Sequence, residues 1–532
     1  EAMRALLLGA GWQWAGATGI GFVLLLWSRS ARAPALGVAT ALAAWAGAAW
    51  LARVGWPLAP HPWFEPARPA AALDQAFDAP PAGFVLWLLG GAAVLLLTSL
   101  VAAPRPAARP RAAAPSSRIG YAGLALATGL GWLLLLDLSA NGHPINRYLG
   151  LYHQGHLWLA FLVFSVVLFL RRPFARGLAW ALVVAGEAGR GVARRAGRGP
   201  AFALLIAVAL TGVAAFGVGL ANLRQLTSEL GRVWLIAGAA WFFFLRGGPI
   251  AERLARAGPL GASLLRYAWP MLFVVGVLLG AMVATRDMGP LLIAGYASGA
   301  FIAASLAMWA HLRFSRRPGA GAVAPLLAVA LFAGWIVMVT LVLLRFGEVH
   351  DVTAMRLESL AAPFTSANDQ LALVTWFQRA APEGGFGLGA TPWCGYSAAG
   401  QCSGVPAQIH SDYTFTAIVG VFGRAAGWAT VLGGALWLHR LIRHHGRVTR
   451  GEPRLLPGVD GYANDAQALL SWIGVAWVVL TLSQLGVTVA GNLALLPLTG
   501  VTVPFVSFGM TSLVVNLAFL ALVLSVDRPD HE

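Results

Sequence analysis

The chain has 532 residues, of which 58% are hydrophobic and only 11% are charged, and its mean hydropathy is +0.71. A soluble domain carries roughly 25% charged residues, so this composition excludes a soluble protein and indicates an integral membrane protein. The formal net charge is +16. Because the arginines lie mostly in short connections between apolar runs, this charge does not predict nucleic-acid binding.

Apolar runs of spanning length recur from one end of the chain to the other. At ~20 residues per span they predict an all-α polytopic membrane protein with about thirteen transmembrane helices. The runs are too long for the strands of a membrane barrel. The predicted helices cover residues 5–27, 36–54, 83–103, 119–138, 155–171, 201–220, 232–246, 267–285, 290–312, 323–345, 413–438, 466–493 and 507–526.

Loop charge predicts the orientation and the division of the chain. Every second connection is rich in arginine, which places those connections and the tail 527–532 in the cytoplasm and the N-terminus outside. A Pro/Ala/Arg-rich linker at 104–118 is predicted to separate a peripheral three-helix extension, residues 1–103, from a core at 119–526. The basic segment 172–199 is predicted to lie on anionic lipid, with a docking site for a cytoplasmic protein as the alternative.

One long polar segment, residues 346–412, interrupts this pattern on the predicted outer side. Ordering so long a connection costs entropy, which favours a functional role. The segment contains both cysteines of the chain, Cys394 and Cys402, and outside the cytoplasm they are predicted to form a disulfide. A metal pair is disfavoured, because no ligand spacing fits.

Ionisable residues near the outer helix ends are candidates for function, because charge is costly in lipid. They are Glu229, the neighbours Arg286 and Asp287, and Asp412. Each also has a structural interpretation. Arg286 and Asp287 could form a local turn with an ion pair, and Glu229 and Asp412 could be favoured by the positive end of a helix dipole.

Residues 484–512 read QLGVTVAGNLALLPLTGVTVPFVSFGMTS. This segment closely resembles the signature of the SEDS family (shape, elongation, division and sporulation), which includes RodA, FtsW and SpoVE. The family pattern is Pro-x-Thr-Gly, followed by Pro-Phe-x-Ser-Tyr-Gly-Gly-Ser-Ser. The matching positions are Pro497, Thr499, Gly500, Pro504, Phe505, Ser507, Gly509 and Ser512, whereas Phe508, Met510 and Thr511 depart from it.

Weaker resemblances follow in the family's order and extend the likeness over about 119–526. SDYTF aligns Asp412 with the family's essential aspartate, RDMGPLL aligns Asp287, and QLTSELGR aligns Glu229. Arg356, Gln370 and the glycine-rich stretch 384–389 resemble elements of the family's large loop. The family's Glu-Glu pair is absent, because residues 420–423 read Gly-Val-Phe-Gly, which marks a divergent member.

The resemblance implies an enzyme that polymerises lipid II into peptidoglycan strands at the outer face of the bacterial cytoplasmic membrane. Asp412 would be the general base for the attacking sugar hydroxyl. The other implied substrate-binding residues are Arg356 and Arg286, which would contact the pyrophosphate, together with Asp287, Glu229, Gln370, Thr499 and Ser507. No cofactor is implied with certainty; a divalent cation, Mg²⁺ or Mn²⁺, could replace the arginines, although the sequence contains no dedicated ligand cluster.

The family also works beside a class B penicillin-binding protein, a transpeptidase, so the resemblance implies such a partner in addition to membrane lipid. Two other functions stay open. One is another lipid-linked glycan enzyme, such as an O-antigen ligase or polymerase, and the C-terminal motif disfavours it. The other is a lipid II transporter or a silent scaffold, which the missing Glu-Glu pair and the three added helices favour.

Overall fold

The structure is a computed structural model that describes part of the chain. The described residues are seven positions between 124 and 138 and the ranges 224–246, 249–285, 288–314, 320–347, 351–362, 370–387, 391, 408–449, 461–507 and 509–525. All elements in these ranges are helices: α1 (Arg224–Arg246), α2 (Pro249–Arg256), α3 (Leu260–Thr285), α4 (Met288–Phe314), α5 (Ala320–Gly347), α6 (Asp351–Ala361), α7 (Gln370–Ala380), α8 (Thr414–Phe422), α9 (Arg424–Thr449), α10 (Gly461–Asn492) and α11 (Met510–Ser525). The predicted all-α class is confirmed for this part of the chain.

Several of these helices have the length and composition of membrane spans. Three of the described helices contain a stretch apolar and long enough to cross a bilayer: Leu260–Gly280, Gly289–Phe314 and Ala468–Asn492. On α5, the exposed face carries apolar side chains, with Leu326 70% and Leu341 57% exposed, as expected for a surface in contact with lipid. The chain is therefore a membrane protein.

The predicted helices that precede residue 224 lie outside the described residues, apart from the seven positions near 130. The same holds for the linker 104–118, the basic segment 172–199 and the tail 527–532. The helix count of about thirteen, the domain boundaries and the orientation of the termini stay predictions.

The structure differs from the sequence-based helices at the end of the polar segment. The single helix predicted for 413–438 is divided into α8 and α9, because Gly423 between them has a φ of 87° that continues neither helix. The long segment 346–412 contains two helices that were not predicted, α6 and α7. Short helices of this kind have too few apolar residues to register as membrane spans.

The chain divides into two compact units. The first takes its described residues from within Glu1–Arg171, Glu358–Leu441 and Thr488–Glu532. The second takes them from within Arg172–Leu357 and Ile442–Val487. α6, α9 and α10 each contribute residues to both units, whereas Asp412 and the C-terminal motif belong to the first.

Small residues allow the helices of the second unit to pack closely. The indole of Trp335 on α5 lies over Gly299 on α4 and donates a hydrogen bond of 2.7 Å to the carbonyl oxygen of Gly295. Phe243 on α1 stacks on Trp472 of α10 with 5.0 Å between the ring centroids. Close approach through glycine is a common way for helices to associate in lipid.

In the first unit, the C-terminal motif packs against the early part of the chain. Leu134 and Leu138 are buried, and a Cβ atom at Gly131 would collide with the carbonyl group of Val506. Trp437 of α9 contacts the ring of Phe505 edge-on, with 5.7 Å between centroids. The motif that begins at Pro497 is thus part of the core of this unit.

Candidate active site

A tight turn, residues 408–413, brings Asp412 to the start of α8. The backbone N–H groups of Ser411, Asp412 and Tyr413 all donate to the carbonyl oxygen of Gln408, at 3.0, 2.9 and 3.4 Å. Gln408 itself has a φ of 62°, which residues with a side chain rarely adopt. The turn is therefore tightly wound, and it leaves Asp412 only 8% exposed.

The Asp412 carboxylate lies against Gly500, a residue of the C-terminal motif 88 positions further along the chain. Gly500 has a φ of 66°, and a Cβ atom there would lie 3.4 Å from Oδ2 of Asp412. Because glycine has no side chain, the carboxylate can approach the backbone of the motif at this point. The structure thus brings together the two segments on which the resemblance depends most.

Asn492, the last residue of α10, connects the turn to α8. Its Nδ2 donates to the carbonyl oxygen of Asp412 at 3.1 Å and to that of Thr488 at 2.8 Å. Its Oδ1 accepts from the backbone N–H and the hydroxyl of Thr416, at 3.3 and 2.9 Å. With 2% exposure, this side chain is a buried and fully hydrogen-bonded amide.

The two predicted substrate-binding residues of the motif are both buried. Ser507 Oγ lies 2.6 Å from Oγ1 of Thr414 and accepts a hydrogen bond of 2.7 Å from the backbone N–H of Val503. Thr499 is 6% exposed and immediately precedes Gly500. The Ser507 hydroxyl therefore joins the motif to the first residue of α8.

Two glutamines of α7 face the same region. Gln370, predicted from the sequence, accepts a hydrogen bond of 2.8 Å from the hydroxyl of Tyr413, next to Asp412. Gln378, two turns further along, donates to Thr416 Oγ1 at 2.6 Å and to the carbonyl oxygen of Asn492 at 2.7 Å. α7 thus supports both the turn and the network beneath it.

The start of the glycine-rich stretch docks on the end of α8. Backbone N–H groups of Phe386 and Gly387 donate to the carbonyl oxygens of Gly420 and Val421, at 2.8 and 3.0 Å. A Cβ atom at Gly385 would lie 2.5 Å from the backbone nitrogen of Gly423. Gly385 and Gly423 therefore allow these two stretches of backbone to approach closely, whereas the family's Glu-Glu pair falls at Gly420 and Val421.

Glu229 and Arg356, two further predicted site residues, belong to the second unit. Glu229 lies inside α1, not before the helix as the sequence suggested, and it forms a buried two-point ion pair with Arg232 at 2.9 and 3.1 Å. Arg356 is half-buried on α6. Arg286 and Asp287, and the predicted disulfide of Cys394 with Cys402, lie outside the described residues.

A histidine, His410, shares the turn with Asp412. Burial lowers the pKa of His410, in the turn, to about 4, so its imidazole is neutral at physiological pH. Across the described ranges, no three His, Cys, Asp or Glu side chains are grouped to hold a metal ion.

Sequence reasoning missed Asn492, Thr414, Thr416 and Gln378. A signal was present for Asn492, which stands in an apolar run five positions before Pro497. A polar side chain at such a place needs a buried partner, which could have singled it out. The threonines and Gln378 carry no such signal, because threonine and glutamine are ordinary residues in short helices.

The C-terminal part of the chain matches a known protein family. Residues 458–532 match the family of FtsW, RodA and SpoVE, described as cell cycle protein. A probable peptidoglycan glycosyltransferase FtsW of Nitrosomonas europaea is 30% identical over 142 residues, which are 27% of this chain and 33% of that relative. The chain thus matches about a third of the length of this relative.

Two solved structures are similar over most of their length. One is a chain from a structure described as structural coordination of polymerization and crosslinking by a peptidoglycan synthase complex. It is 20% identical, with a TM-score of 0.45, and the match covers 76% of this chain and 96% of that one. The other is a mutant of the rod shape determining protein RodA of Thermus thermophilus, with 16% identity, a TM-score of 0.40 and coverage of 77% and 97%.

The matched segment contains α10, Asn492, the C-terminal motif and α11, and the motif lies against Asp412. Residues 458–532 thus match the FtsW/RodA/SpoVE family, which is the family that residues 484–512 resemble.

Proposed function

We propose that this protein is a peptidoglycan glycosyltransferase that polymerises lipid II, with Asp412 as the general base. The carboxylate accepts the proton of the acceptor sugar hydroxyl as the oxygen attacks the anomeric carbon of the donor sugar. The bond from that carbon to undecaprenyl pyrophosphate breaks, and the pyrophosphate leaves with the lipid. Each cycle lengthens the glycan strand by one disaccharide unit.

One observation carries this proposal. Asp412 places Oδ2 next to Gly500, within the segment that matches the family, so the candidate base and the family motif form one site. A general base has to be held within hydrogen-bond reach of the proton that it accepts. The turn at Gln408, the contact with Gly500 and the amide of Asn492 together favour a fixed position for this carboxylate.

The other residues complete the proposal. Arg356 and Arg286 stabilise the pyrophosphate, since guanidinium groups bind such oxygens at two points. Asp287, Gln370, Thr499 and Ser507 contribute to substrate binding. Glu229 acts through Arg232, which it holds by its buried ion pair.

The site faces the outside of the bacterial cytoplasmic membrane in this proposal, with the C-terminus in the cytoplasm. A class B penicillin-binding protein, the transpeptidase that crosslinks the strands, is the proposed partner. The similar synthase complex, in which polymerization and crosslinking are coordinated, is compatible with this arrangement.

The experiment uses the purified full chain, reconstituted with lipid II, and separates products by size on a gel. Wild type is expected to form glycan strands, and Asp412→Asn, which keeps the shape but removes the base, is expected to be slower by about 100-fold or more. Asp351→Asn, at an exposed aspartate of α6, is the matched control and should polymerise normally. Undiminished polymer from Asp412→Asn would contradict the proposed mechanism.

A different function would give a different product. Transfer of lipid II across vesicle membranes without polymer would support a transporter. Transfer of a sugar chain to an acceptor other than lipid II would support an O-antigen-type enzyme.

A further inference from the structure

The Asn492 side chain has only one orientation that satisfies its hydrogen bonds. Both carbonyl oxygens, of Asp412 and of Thr488, lie on the Nδ2 side, and both donors of Thr416 lie on the Oδ1 side. In a flipped amide, Oδ1 would face the two carbonyl oxygens and Nδ2 would face the two donors of Thr416. The amide therefore joins three parts of the first unit with a defined geometry: the end of α10, the first turn of α8 and the backbone of Asp412.

The neighbouring contacts fix this arrangement further. Gln378 donates to the carbonyl oxygen of Asn492 and to the hydroxyl of Thr416, so the backbone of Asn492 is held as well as its side chain. The motif begins a few residues after Asn492, and Gly500 reaches the carboxylate of Asp412. One segment of chain thus meets Asp412 at two points: Asn492 holds its backbone carbonyl oxygen, and Gly500 lies beside its carboxylate.

We propose that Asn492 is a positioning residue for Asp412. By holding the carbonyl oxygen of Asp412, its amide fixes the place from which the carboxylate reaches the attacking hydroxyl. Asn492 has no direct contact with the reacting atoms in this proposal. The inference rests on the proposed role of Asp412 as the general base. If that base is displaced by about 1 Å, the rate is expected to fall about 100-fold.

The test measures lipid II polymerisation by the full chain as separate kcat and KM values. Asn492→Asp keeps the size of the side chain and the oxygen that faces Thr416, but it removes the donor to Asp412. We expect kcat to fall about 100-fold while KM for lipid II changes less than about twofold, since substrate binding is untouched. An unchanged kcat would overturn the inference.

Asn516 provides the matched control for a purely structural loss. It is also a buried asparagine of the first unit, 5% exposed, and its Nδ2 donates to the backbone oxygen and hydroxyl of Ser512. Asn516→Ala is expected to lower the melting temperature of the protein but to leave kcat per folded molecule unchanged. An equal fall in kcat for this variant would show that any buried amide matters equally, and it would overturn the positioning role.

A double variant separates the two proposals. If Asn492 acts through Asp412, adding Asn492→Asp to Asp412→Asn should reduce the residual rate by less than about threefold, because the base is already absent. A full further loss in the double variant would overturn the positioning role and leave Asp412 as the base. A fully active Asp412→Asn single variant would instead contradict the proposed function itself.

Discussion

The carboxylate of Asp412 lies against a residue that has no side chain. Gly500 adopts a left-handed φ of 66°, which costs other residues about 1–2 kcal/mol, and it allows Oδ2 of Asp412 to lie close to its backbone. Both properties depend on the absence of a Cβ atom. Gly500 is therefore as closely tied to the site as the aspartate is.

We predict that Gly500→Ala lowers the rate of lipid II polymerisation about tenfold, because alanine is strained at a φ of 66° and relief of that strain shifts the backbone that Oδ2 of Asp412 contacts. The measurement is the initial rate with purified protein. Gly486→Ala on α10, where a Cβ atom meets nothing within 4 Å, is the control and should keep the wild-type rate. A wild-type rate for Gly500→Ala would separate Gly500 from catalysis.

His410 predicts a pH dependence of stability. Its pKa in the folded protein, about 4, lies below the ordinary value of roughly 6.5, so the neutral form is the one that the fold favours. The stability that the neutral imidazole contributes to the folded protein is fully present above about pH 6.5. It is lost as the pH falls toward 4, because the unfolded chain then binds a proton that the folded protein does not. The melting temperature of the wild type should therefore decrease more steeply over this range than that of His410→Gln. Parallel curves for the two proteins would contradict the assignment.

At this scale the sequence predicted the charged and motif residues better than the neutral polar ones. Asp412 stood out because a carboxylate near lipid is costly, and Gly500 stood out because of its motif. Asn492, Thr416 and Gln378 are also buried beside the site, but neutral side chains carry no comparable penalty in a sequence. Their roles follow only from hydrogen bonds between segments far apart in the chain.

At the scale of elements, the break between α8 and α9 is the feature that places the glycine-rich stretch. Gly423 ends α8, and a Cβ atom at this position would collide with the carbonyl oxygen of Glu383. The absence of a Cβ atom allows Phe386 and Gly387 to form hydrogen bonds with the last turn of α8. The sequence gives little warning of the break, since residues 413–438 read as one apolar run without proline.

We predict that Gly423→Ala detaches this stretch from α8. The observable is hydrogen–deuterium exchange at the amides of Phe386 and Gly387, whose N–H groups bond to Gly420 and Val421. Their exchange should become faster in the variant because those bonds open. In Gly384→Ala, where a Cβ atom meets open space, the protection should persist. Unchanged exchange in Gly423→Ala would mean that the two stretches of backbone tolerate a methyl group between them.

For two of the long helices, sequence and structure agree to within a few residues. The predicted spans 290–312 and 466–493 correspond to α4 (Met288–Phe314) and α10 (Gly461–Asn492). This agreement has a physical cause, since a bilayer requires ~20 apolar residues with all backbone hydrogen bonds satisfied within the segment. The same rule does not apply to α6 and α7, which lie in the polar segment and were missed.

At the scale of the whole molecule, the membrane is the environment that the composition requires. Exposed apolar side chains on α5 and α9, such as Leu326 and Leu436, would promote aggregation in water but are expected on a surface that contacts lipid. The prediction that residues 1–103 form a peripheral extension, like the orientation of the termini, concerns segments outside the described residues. Chemical cross-links from residues 1–103 to the turn that carries Asp412 would count against the peripheral position.

The family match of residues 458–532, the motif and the position of Asp412 support our central proposal, that this chain links disaccharide units of lipid II through a carboxylate base. The most direct measurement is the strand length formed from lipid II by the purified full chain and by Asp412→Asn at equal amounts of folded protein. Our account predicts long strands from the wild type and essentially unreacted lipid II from the variant. Strands of equal length and rate from both proteins would contradict it.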